Sequence, residues 1–258
     1  MVKGLYTAYT GMINEQNRMD VITNNLANVD TNGYKKEGAT SQAFDTVLAY
    51  KIKDTSEAPN ISRGIGNMNL GVKIGENYTD YSQGPFKVTG NTYDLGLSGS
   101  GFFTIEFAGK DGTTHTKYTR DGSFIADVEG YLVTKDGDYV LNTNNSRIKI
   151  DPNQDVVIDT RGNVIQGGRA LHTIKITDFE DYNYLEHYGE NFFVPVDGAT
   201  TVPGDYTINQ GYLETSNVQT VQEMVEMISV SRQYESNQRL ITTIDGTLQI
   251  VSNQLGKV

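Results

Sequence analysis

Apolar residues recur at alternating spacings of three and four near both ends of the chain. The first series, called here the N-terminal seam, comprises Leu5, Ala8, Met12, Glu15, Met19, Ile22 and Leu26. The second, the C-terminal seam, comprises Met227, Val230, Tyr234, Asn237, Ile241, Ile244, Leu248, Val251 and Leu255. This alternation is typical of helices that wind around other helices. It predicts one helix over residues 3–28 and a second that runs from near Ser216 to Leu255.

Two polar residues interrupt the seams, and one pair of residues marks a helix start. We favour a role for Asn237 in fixing the register between helices, because a buried amide can do so at some cost in stability; exposure at a local gap is the alternative. Glu15 is expected at the edge of its seam. Ser216, followed by Gln219 three residues later, matches a capping box, so the second helix is expected to begin there.

The region between the helices has the pattern of β-structure. Asp-Gly pairs occur at 111–112, 121–122, 136–137 and 197–198, and this pair between apolar segments is a strong hairpin signal. Residues 41–53 fit either a short helix or a strand, and the stretch 57–75 is rich in Gly, Asn, Ser and Pro. The predicted fold is therefore α+β. Coiled-coil-like terminal helices are brought together in a domain of 1–35 with 212–258, 36–80 is an extended connector, and 81–211 is a central, mostly antiparallel β domain.

Charge and composition exclude several classes of partner. The 258-residue chain has a net charge of −11, so a nucleic acid partner, which needs clustered Lys and Arg, is not expected. Membrane insertion is not expected either, because no apolar run approaches the roughly 18 residues of a spanning helix. The N-terminal residues lack the pattern of a cleaved signal peptide. We expect a cytosolic protein, or one that leaves the cell by a route without such a signal.

Few residues have the spacing of a catalytic or metal site. Cysteine is absent, which removes disulfides, thiol catalysis and zinc–thiolate sites. His115, His172 and His187 are scattered through the β region and read as structural or surface residues. Asp136 and Asp138 lie near Asp151, but their spacing matches no EF-hand loop. We expect no catalytic residue, no metal and no cofactor.

The helices carry uncharged amides and hydroxyls where a solvated helix usually carries Glu and Lys. Such helices are suited to contact with protein on several sides. Our hypothesis is that both termini are largely disordered in the monomer and fold on assembly. The alternative is an intramolecular hairpin of two helices that caps the β domain.

Three sequence blocks stand out as motifs along the chain. The first block is NNLANVDTNGYKK at 24–36, which includes Asn24, Asn25, Leu26, Ala27, Asn28 and Gly33. The second block is YTRDGSF at 118–124, with GFF at 101–103 and GYLVT at 130–134 as neighbours. The third block is QGYLETSNV at 210–218, followed by EMV at 223–225 and RQYE at 232–235. These blocks resemble those of bacterial flagellar rod and hook proteins, and they follow the order of that family over nearly the whole chain.

The resemblance implies a structural, axial subunit of the basal body and no enzyme. Such a subunit would pass unfolded through the flagellar export apparatus and polymerise helically with copies of itself. Its partners would be other rod and hook proteins, with ring proteins and peptidoglycan as further candidates. The length and the single β insert favour the distal rod; a proximal rod paralogue or a hook-type axial protein is the alternative.

The resemblance and the seams together imply an assembly interface. It would comprise Leu5, Met12, Met19, Ile22, Leu26, Met227, Val230, Tyr234, Asn237, Ile241, Ile244, Leu248, Val251 and Leu255. Two other functional classes stay open on the residues alone. A wall-degrading enzyme would need paired carboxylates or a metal in the β domain, and a soluble two-helix binding module would stay monomeric at high concentration.

Overall fold

The computed structural model describes residues 2–51, 63–108, 114–189 and 191–255. The chain divides into two compact units. The first unit comprises 1–26, 37–79 and 220–258, and the second comprises 27–36 and 80–219. Both units contain segments that are distant in sequence, so each is held together by long-range contacts.

The first unit contains both terminal helices, α1 (Val2–Ala27) and α2 (Thr220–Ile250), which continues as a π-helical turn, Val251–Leu255. The predicted α+β class is confirmed, with one helix near each terminus and antiparallel strands between them. Coiled-coil packing of the helices stays a prediction. Among the described residues, no helix is both long enough and apolar enough to span a membrane.

The start of α2 differs from the predicted capping box. The helix begins at Thr220, and the Ser216 hydroxyl accepts a hydrogen bond from the backbone N–H of Val218 at 3.2 Å. Ser216 is buried in a short non-helical segment of the second unit, so its side chain closes a local turn instead of a helix end.

Four strands occupy the segment that the sequence predicts as an extended connector. They are β1 (Glu37–Ala43), β2 (Val47–Lys51), β3 (Arg63–Met68) and β4 (Val72–Thr79). β1 pairs with β4 and β2 pairs with β3, both antiparallel, so the chain folds back on itself as a two-stranded ribbon. The composition of the segment does not predict this pairing, because the paired strands bring together residues up to 42 positions apart (Glu37 and Thr79). On α1, the amide of Asn14 donates to the Ser41 hydroxyl of the ribbon at 3.0 Å.

The second unit holds the remaining strands. They are β5 (Phe86–Val88), β6 (Leu95–Gly99), β7 (Phe102–Ala108), β8 (Thr114–Thr119), β9 (Ile125–Ala126), β10 (Leu132–Val133), β11 (Tyr139–Val140), β12 (Val156–Ile158), β13 (Asn163–Gln166), β14 (Arg169–Thr173), β15 (Ile176–Phe179), β16 (Leu185–Tyr188), β17 (Phe192–Pro195), β18 (Thr201–Val202), β19 (Tyr206–Gln210) and β20 (Tyr212–Glu214). The main sheet has the order β16-β17-β8-β7-β11-β10-β9, and β15 joins β7 to β18. β12, β13 and β14 form a second sheet, while β19 pairs with β6 and β20 with β5. All of these pairs are antiparallel, as predicted.

The core of the second unit lies between these sheets. Its main cluster comprises Leu95, Leu97, Phe103, Ile105, Phe124, Leu132, Val140, Ile148, Ile150, Val156, Ile158, Val164, Ile174 and Ile208. A smaller aromatic cluster contains Phe102, Tyr118, Phe179, Leu185 and Phe193. Burial of so many apolar side chains supplies the main driving force for folding of this unit.

The Asp-Gly pairs differ in their structural roles. The pair at 136–137 closes the loop between β10 and β11, which pair with each other, and Gly137 has φ +93°. The pairs at 121–122 and 197–198 instead connect strands that do not pair. The pair at 111–112 lies outside the described residues.

The compact units differ from the predicted division at both helix ends. Residues 27–35 and 212–219 were expected with the helices but belong to the second unit, while 37–79 belongs with the helices. The physical reason is a set of buried hydrogen bonds that tie 33–36 and 214–217 to the β domain, described next. As independently folding domains, the predicted divisions stay a prediction.

Candidate functional site

The two terminal helices contact each other in antiparallel order. A Cβ built on Gly11 would lie 3.0 Å from Nδ2 of Asn237, and one built on Gly4 would lie 4.0 Å from Cδ1 of Ile244. Further along the pair, Arg18 donates to Glu226 at 3.1 Å. The seams therefore meet at least partly within one chain, as the hairpin alternative supposed.

On α1, residues one position before alternate members of the N-terminal seam contact α2. They are Gly4, Gly11, Arg18 and Asn25, each followed by a residue that the sequence pattern selected. Ala8, Glu15 and Ile22 are buried, as members of both patterns. The predicted interface residues Leu5, Met12, Met19 and Leu26 are half-buried. Small residues at 4 and 11 leave room for a neighbouring helix, which apolar periodicity does not detect.

On α2, the C-terminal seam coincides with the least exposed face as far as Ile244. Val230 is buried, and Met227, Tyr234, Asn237, Ile241 and Ile244 are half-buried. Leu248 and Val251 are exposed, and the side chain of Leu255 lies outside the described residues. As an interface between copies of the chain, the whole set stays a prediction. The contact between Asn237 and Gly11 is consistent with a register role for the amide.

Glu15 is buried rather than placed at the edge of its seam. It is 9 % exposed, and its carboxylate accepts hydrogen bonds from Asn14 and Arg18, both at 3.3 Å. Arg18 also pairs with Glu226, so it links the two acidic residues across the helix pair. The expectation for Glu15 was wrong because the Arg18 guanidinium and the Asn14 amide satisfy the buried carboxylate.

Asn25 of the first block joins three segments of the first unit. Its Oδ1 accepts from the backbone N–H of Glu37 at 2.9 Å, and its Nδ2 donates to the Glu37 carbonyl at 2.8 Å. Nδ2 also lies 3.3 Å from the Glu223 carboxylate at the start of α2. Both Asn25 and Glu223 are 1 % exposed. The amide thus fixes the end of α1 to the start of β1 and of α2.

The rest of the first block spans the last turn of α1 and the turn that follows it from Asn28. Asn24 and Ala27 are exposed, and Leu26 and Asn28 are half-buried. Asn28 accepts hydrogen bonds from the backbone and the hydroxyl of Thr31, both at 3.2 Å, which closes the turn.

Gly33 occupies a position that requires glycine. Its φ is +69°, a conformation that L side chains adopt only at a cost, and an added Cβ would collide with the backbone between Arg120 and Asp121. Its N–H donates to the Glu214 carbonyl at 2.8 Å. The first block therefore contacts the second and the third at this residue.

A buried ion network lies where these three blocks meet. Nζ of Lys35 is 2.6 Å from Oε1 of Glu214, and Nη1 of Arg120 is 3.5 Å from Oε2. The side chains of Lys35 and Glu214 are 1 % and 0 % exposed. Each block contributes one charged residue, so the network, called here the junction triad, joins chain segments that are far apart in sequence.

Hydrogen bonds to the backbone complete the junction triad. Lys35 donates to the Ser82 carbonyl at 2.9 Å, and Arg120 donates to the carbonyls of Leu97 at 3.3 Å and Gly99 at 2.8 Å. The Gly84 N–H donates to Glu214 at 3.0 Å. Buried charges are tolerated when they are paired and hydrogen-bonded in this way.

Burial dominates the electrostatics of the two cations. It lowers the pKa of Lys35 below its ordinary value, although Glu214 opposes the change. It lowers the pKa of Arg120 for the same reason, opposed by Glu214 and, through longer-range attraction, by Tyr182 and Asp178. Glu214 is therefore the group on which both buried cations depend. The first and third blocks also meet outside the triad, where the Lys36 N–H donates to Oδ1 of Asn217 at 2.8 Å.

The second unit also contains a pocket of about 570 Å³ beside the first block. It is lined by Asp30, Thr31, Asn32, Phe107, Thr119, Asp121, Ser123, Thr134, Lys135, Asp136, Tyr188, Gly189, Asn191 and Phe192. The Asp121 carboxylate accepts hydrogen bonds from both the N–H and the hydroxyl of Ser123 at 2.9 Å, so it closes its own turn. Within the described residues, no group of three or more His, Cys, Asp or Glu is placed to hold a metal.

Sequence reasoning singled out the motif blocks but missed what holds them together. Neither Lys35, Arg120 nor Glu214 was a candidate site residue, although each lies inside a block that the resemblance identified. Periodicity cannot find such residues, since their partners are up to 179 positions away. The signal that could have found them is the presence of basic residues in the first and second blocks and of a single carboxylate, Glu214, in the third.

A structural protein is the class that these features define, since the convergent polar residues serve to join segments of the chain. Three family models match the chain in order. The first, described as flagella basal body rod protein, matches residues 5–35. The second, the D1 domain of flagellar hook protein FlgE/F/G, matches 96–166, and the third, the C-terminal model of flagellar basal body rod FlgEFG protein, matches 209–255. These spans contain Lys35, Arg120 and Glu214 respectively.

Full-length relatives show the family. The chain is 35 % identical to flagellar basal-body rod protein FlgG of Bacillus subtilis, over 98 % of this chain and 99 % of the relative. It is 36 % identical to FlgG of Agrobacterium fabrum, over 98 % and 100 %. It is 31 % identical to flagellar basal-body rod protein FlgF of Caulobacter vibrioides over the whole of both chains. The chain belongs to the flagellar basal-body rod protein family.

Proposed function

We propose that this protein is a structural subunit of the rod in the bacterial flagellar basal body. In this role it polymerises helically with copies of itself into a hollow shaft that transmits torque to the hook. The observation that carries the proposal is the full-length similarity to proteins named for the basal-body rod, at 31–36 % identity. It has no enzymatic role, in keeping with a family of structural proteins.

The structure supports this role through the buried junction inside the second unit. The segment that follows α1 and the segment that precedes α2 form hydrogen bonds with each other within this unit, around Lys35 and Glu214. A subunit that transmits torque needs a unit that resists deformation. A buried, paired and hydrogen-bonded junction is harder to deform than a solvated linker, because any movement exposes unpaired charges in a poorly solvated site.

The position within the rod and the further partners are finer proposals. We place the subunit in the distal rod on the basis of its length and its single β insert, with a proximal position as the alternative. Its neighbours would be other rod proteins and the hook, and it would reach the rod through the flagellar export apparatus. Ring proteins and peptidoglycan are candidate contacts of the β domain.

Deletion of the encoding gene, followed by cryo-imaging of purified basal bodies, tests the proposal. We expect an axial structure that stops before the hook, and complementation should restore its full length. The length of the remaining stub distinguishes a distal from a proximal position. Complete rods and hooks in the deletion strain would contradict the proposed function.

A second experiment separates the structural role from the two other classes. Sedimentation at increasing concentration should show oligomers, whereas a soluble two-helix module would stay monomeric. Zymography on peptidoglycan should show no lytic band, and a clear band from the purified protein would instead establish a wall-degrading enzyme.

A further inference from the structure

The helix pair carries two exposed apolar stripes that its own chain does not cover. The α1 stripe comprises Tyr6, Tyr9 and Ile13, which are 61 %, 50 % and 39 % exposed. The α2 stripe comprises Val221, Met224, Val225 and Ile228, which are 76 %, 48 %, 63 % and 54 % exposed. Contiguous apolar patches of this kind on soluble proteins mark interaction sites.

Each stripe lies on the face of its helix that points away from the other helix. At 3.6 residues per turn, the α1 stripe is about half a turn from the face of Gly4 and Gly11, which contacts α2. The α2 stripe is likewise about half a turn from the face of Val230 and Asn237, which faces α1. Neither stripe can be covered by the intramolecular helix pair.

Both stripes are confined to one part of their helix. Beyond Ile228, the outward face of α2 continues with Arg232, Glu235 and Arg239. Beyond Ile13, the outward face of α1 continues with Asn17, Asp20 and Asn24. Because the helices are antiparallel, the stripes lie at opposite ends of the pair and on opposite sides of it.

We propose that the α1 stripe of one copy packs against the α2 stripe of the next copy, and that this contact sets the stagger between neighbouring subunits. This proposal rests on the proposed function. It assigns the contact between copies of the chain to helix faces other than the predicted seams. With both helices antiparallel at the contact, Tyr9 lies beside Val225, Tyr6 beside Ile228 and Ile13 beside Val221. The two stripes thus match in length and chemistry, and aromatic and aliphatic side chains interleave.

The geometry selects a second copy as the occupant. The α2 stripe lies opposite the end of α1, about 14 residues from the α1 stripe, so copies in contact are offset by about 21 Å along the pair at 1.5 Å per residue. A contact between different surfaces is heterologous and leaves one unused stripe at each end of a growing assembly. The product is open and staggered. An unrelated partner would need only one stripe and would not explain the second.

Charged substitutions of opposite sign on the two stripes, made singly and together, test the contact in the full-length protein. Tyr9→Glu and Val225→Lys should each raise the concentration needed for half-maximal sedimentation by about tenfold or more, because each buries an unpaired charge in an apolar contact. The double variant, with both changes in one chain, should recover most of the loss, since every contact then pairs Glu with Lys. Gln238→Glu, a charge change at an exposed position of α2 outside the stripe, should assemble like the parent.

Folding of the variants is checked independently. All three altered residues are exposed, so the far-ultraviolet circular dichroism of each variant should match that of the parent. If the single variants assemble normally, or if the double variant is no better than the worse single variant, the assignment is wrong.

Cysteine cross-linking gives a second readout, because the chain has no cysteine of its own. A mixture of Tyr9→Cys and Val225→Cys subunits should form a disulfide-linked dimer on oxidation, and neither population should do so alone. Cross-linking of Val225→Cys with itself would indicate a symmetric contact and overturn the assignment. If assembly occurs without the mixed cross-link, this contact fails and the rod function stands; if the parent never associates at any concentration, both fail.

Discussion

The ammonium of Lys35 lies 2.6 Å from the carboxylate of Glu214, although the two residues are 179 positions apart in the chain. One residue follows the N-terminal helix, and the other precedes the C-terminal helix. Their pairing joins the segment after the N-terminal helix to the segment before the C-terminal helix within the second unit. Arg120 is the third charged member of this network. This arrangement gives the three sequence blocks of the family a common physical role in this chain.

Glu214→Gln should strongly destabilise the β unit. The substitution leaves two buried cations without a carboxylate, and removal of one partner from a buried ion pair costs about 3–5 kcal/mol. Urea unfolding, followed by tyrosine fluorescence, measures the change. Glu106→Gln is the matched control, because Glu106 pairs with Arg147 at 2.9 Å in a site where the Arg147 side chain is 43 % exposed. Its loss should cost less than about 1 kcal/mol. Equal effects of the two substitutions would contradict a special role for the junction triad.

Gly33→Ala should destabilise the same unit through the backbone. The added methyl group would force a residue with φ +69° against the Arg120–Asp121 peptide, so strain and overpacking add to about 2–4 kcal/mol. Thermal unfolding measures the loss. Gly137→Ala is the control, since Gly137 has φ +93° but nothing within 4 Å of an added Cβ. Gly137→Ala should lose only the about 1 kcal/mol that backbone strain costs. A Gly33→Ala protein as stable as Gly137→Ala would show that residue 33 does not pack closely against the Arg120–Asp121 peptide.

Asn25→Ala should loosen the first unit where α1, β1 and α2 meet. It removes the hydrogen bonds to both backbone groups of Glu37 and leaves the buried Glu223 carboxylate with one partner fewer. A loss of about 2–4 kcal/mol is expected, because unsatisfied buried groups cost about 1–3 kcal/mol each. Hydrogen exchange should show faster exchange at Glu37 and in the first turn of α2. Asn24→Ala alters an exposed neighbour and should leave that protection unchanged.

Ile244→Asp should abolish polymerisation while the β unit stays folded. Ile244 is half-buried on the face of α2 that contacts Gly4, so the substitution places an unpaired carboxylate between the helices at a cost of several kcal/mol. Concentration-dependent sedimentation measures assembly, and near-ultraviolet circular dichroism reports on the β unit. Assembly at the parent level would show that the C-terminal seam is not needed.

The Tyr182 hydroxyl should lose its proton at a higher pH than an ordinary tyrosine. Burial and the hydrogen bond that its hydroxyl donates to Asp178 at 2.7 Å raise its pKa to about 12. Because the folded state favours the neutral phenol, this contribution to stability is fully present below the ordinary pKa of about 10. It is lost as the pH rises from there through about 12. Ultraviolet titration should show a late phase that Tyr182→Phe removes and Tyr184→Phe, an exposed neighbour, retains. A late phase that persists in Tyr182→Phe would contradict the assignment.

Whether the terminal helices are ordered in a dilute monomer stays a prediction. The disorder hypothesis rests on the uncharged helix surfaces, and the exposed stripes are consistent with it. Hydrogen exchange on the dilute protein decides the question. Strong protection across 3–28 and 218–255 would show that the helix pair forms before assembly, and weak protection would show that it forms on contact with other copies.

The sequence by itself determined the α+β class, the approximate extent of both helices, the antiparallel character of the β domain and the family. Helical periodicity and turn chemistry are local properties, and local properties can be read from residues a few positions apart. The contact face of α2 up to Ile244 belongs to the same group, because that face is apolar at regular spacings.

The tertiary structure alone decided the contact face of α1, the ribbon within 36–80 and the junction triad. Gly4 and Gly11 lie on the face of α1 that contacts α2. Because glycine has no side chain, a search for apolar residues at regular spacings does not detect them. Glu37 pairs with Thr79, and Lys35 with Glu214, only after the chain has brought distant segments together. Hydrogen bonds and ion pairs of this kind depend on three-dimensional proximity, which no spacing along the chain encodes.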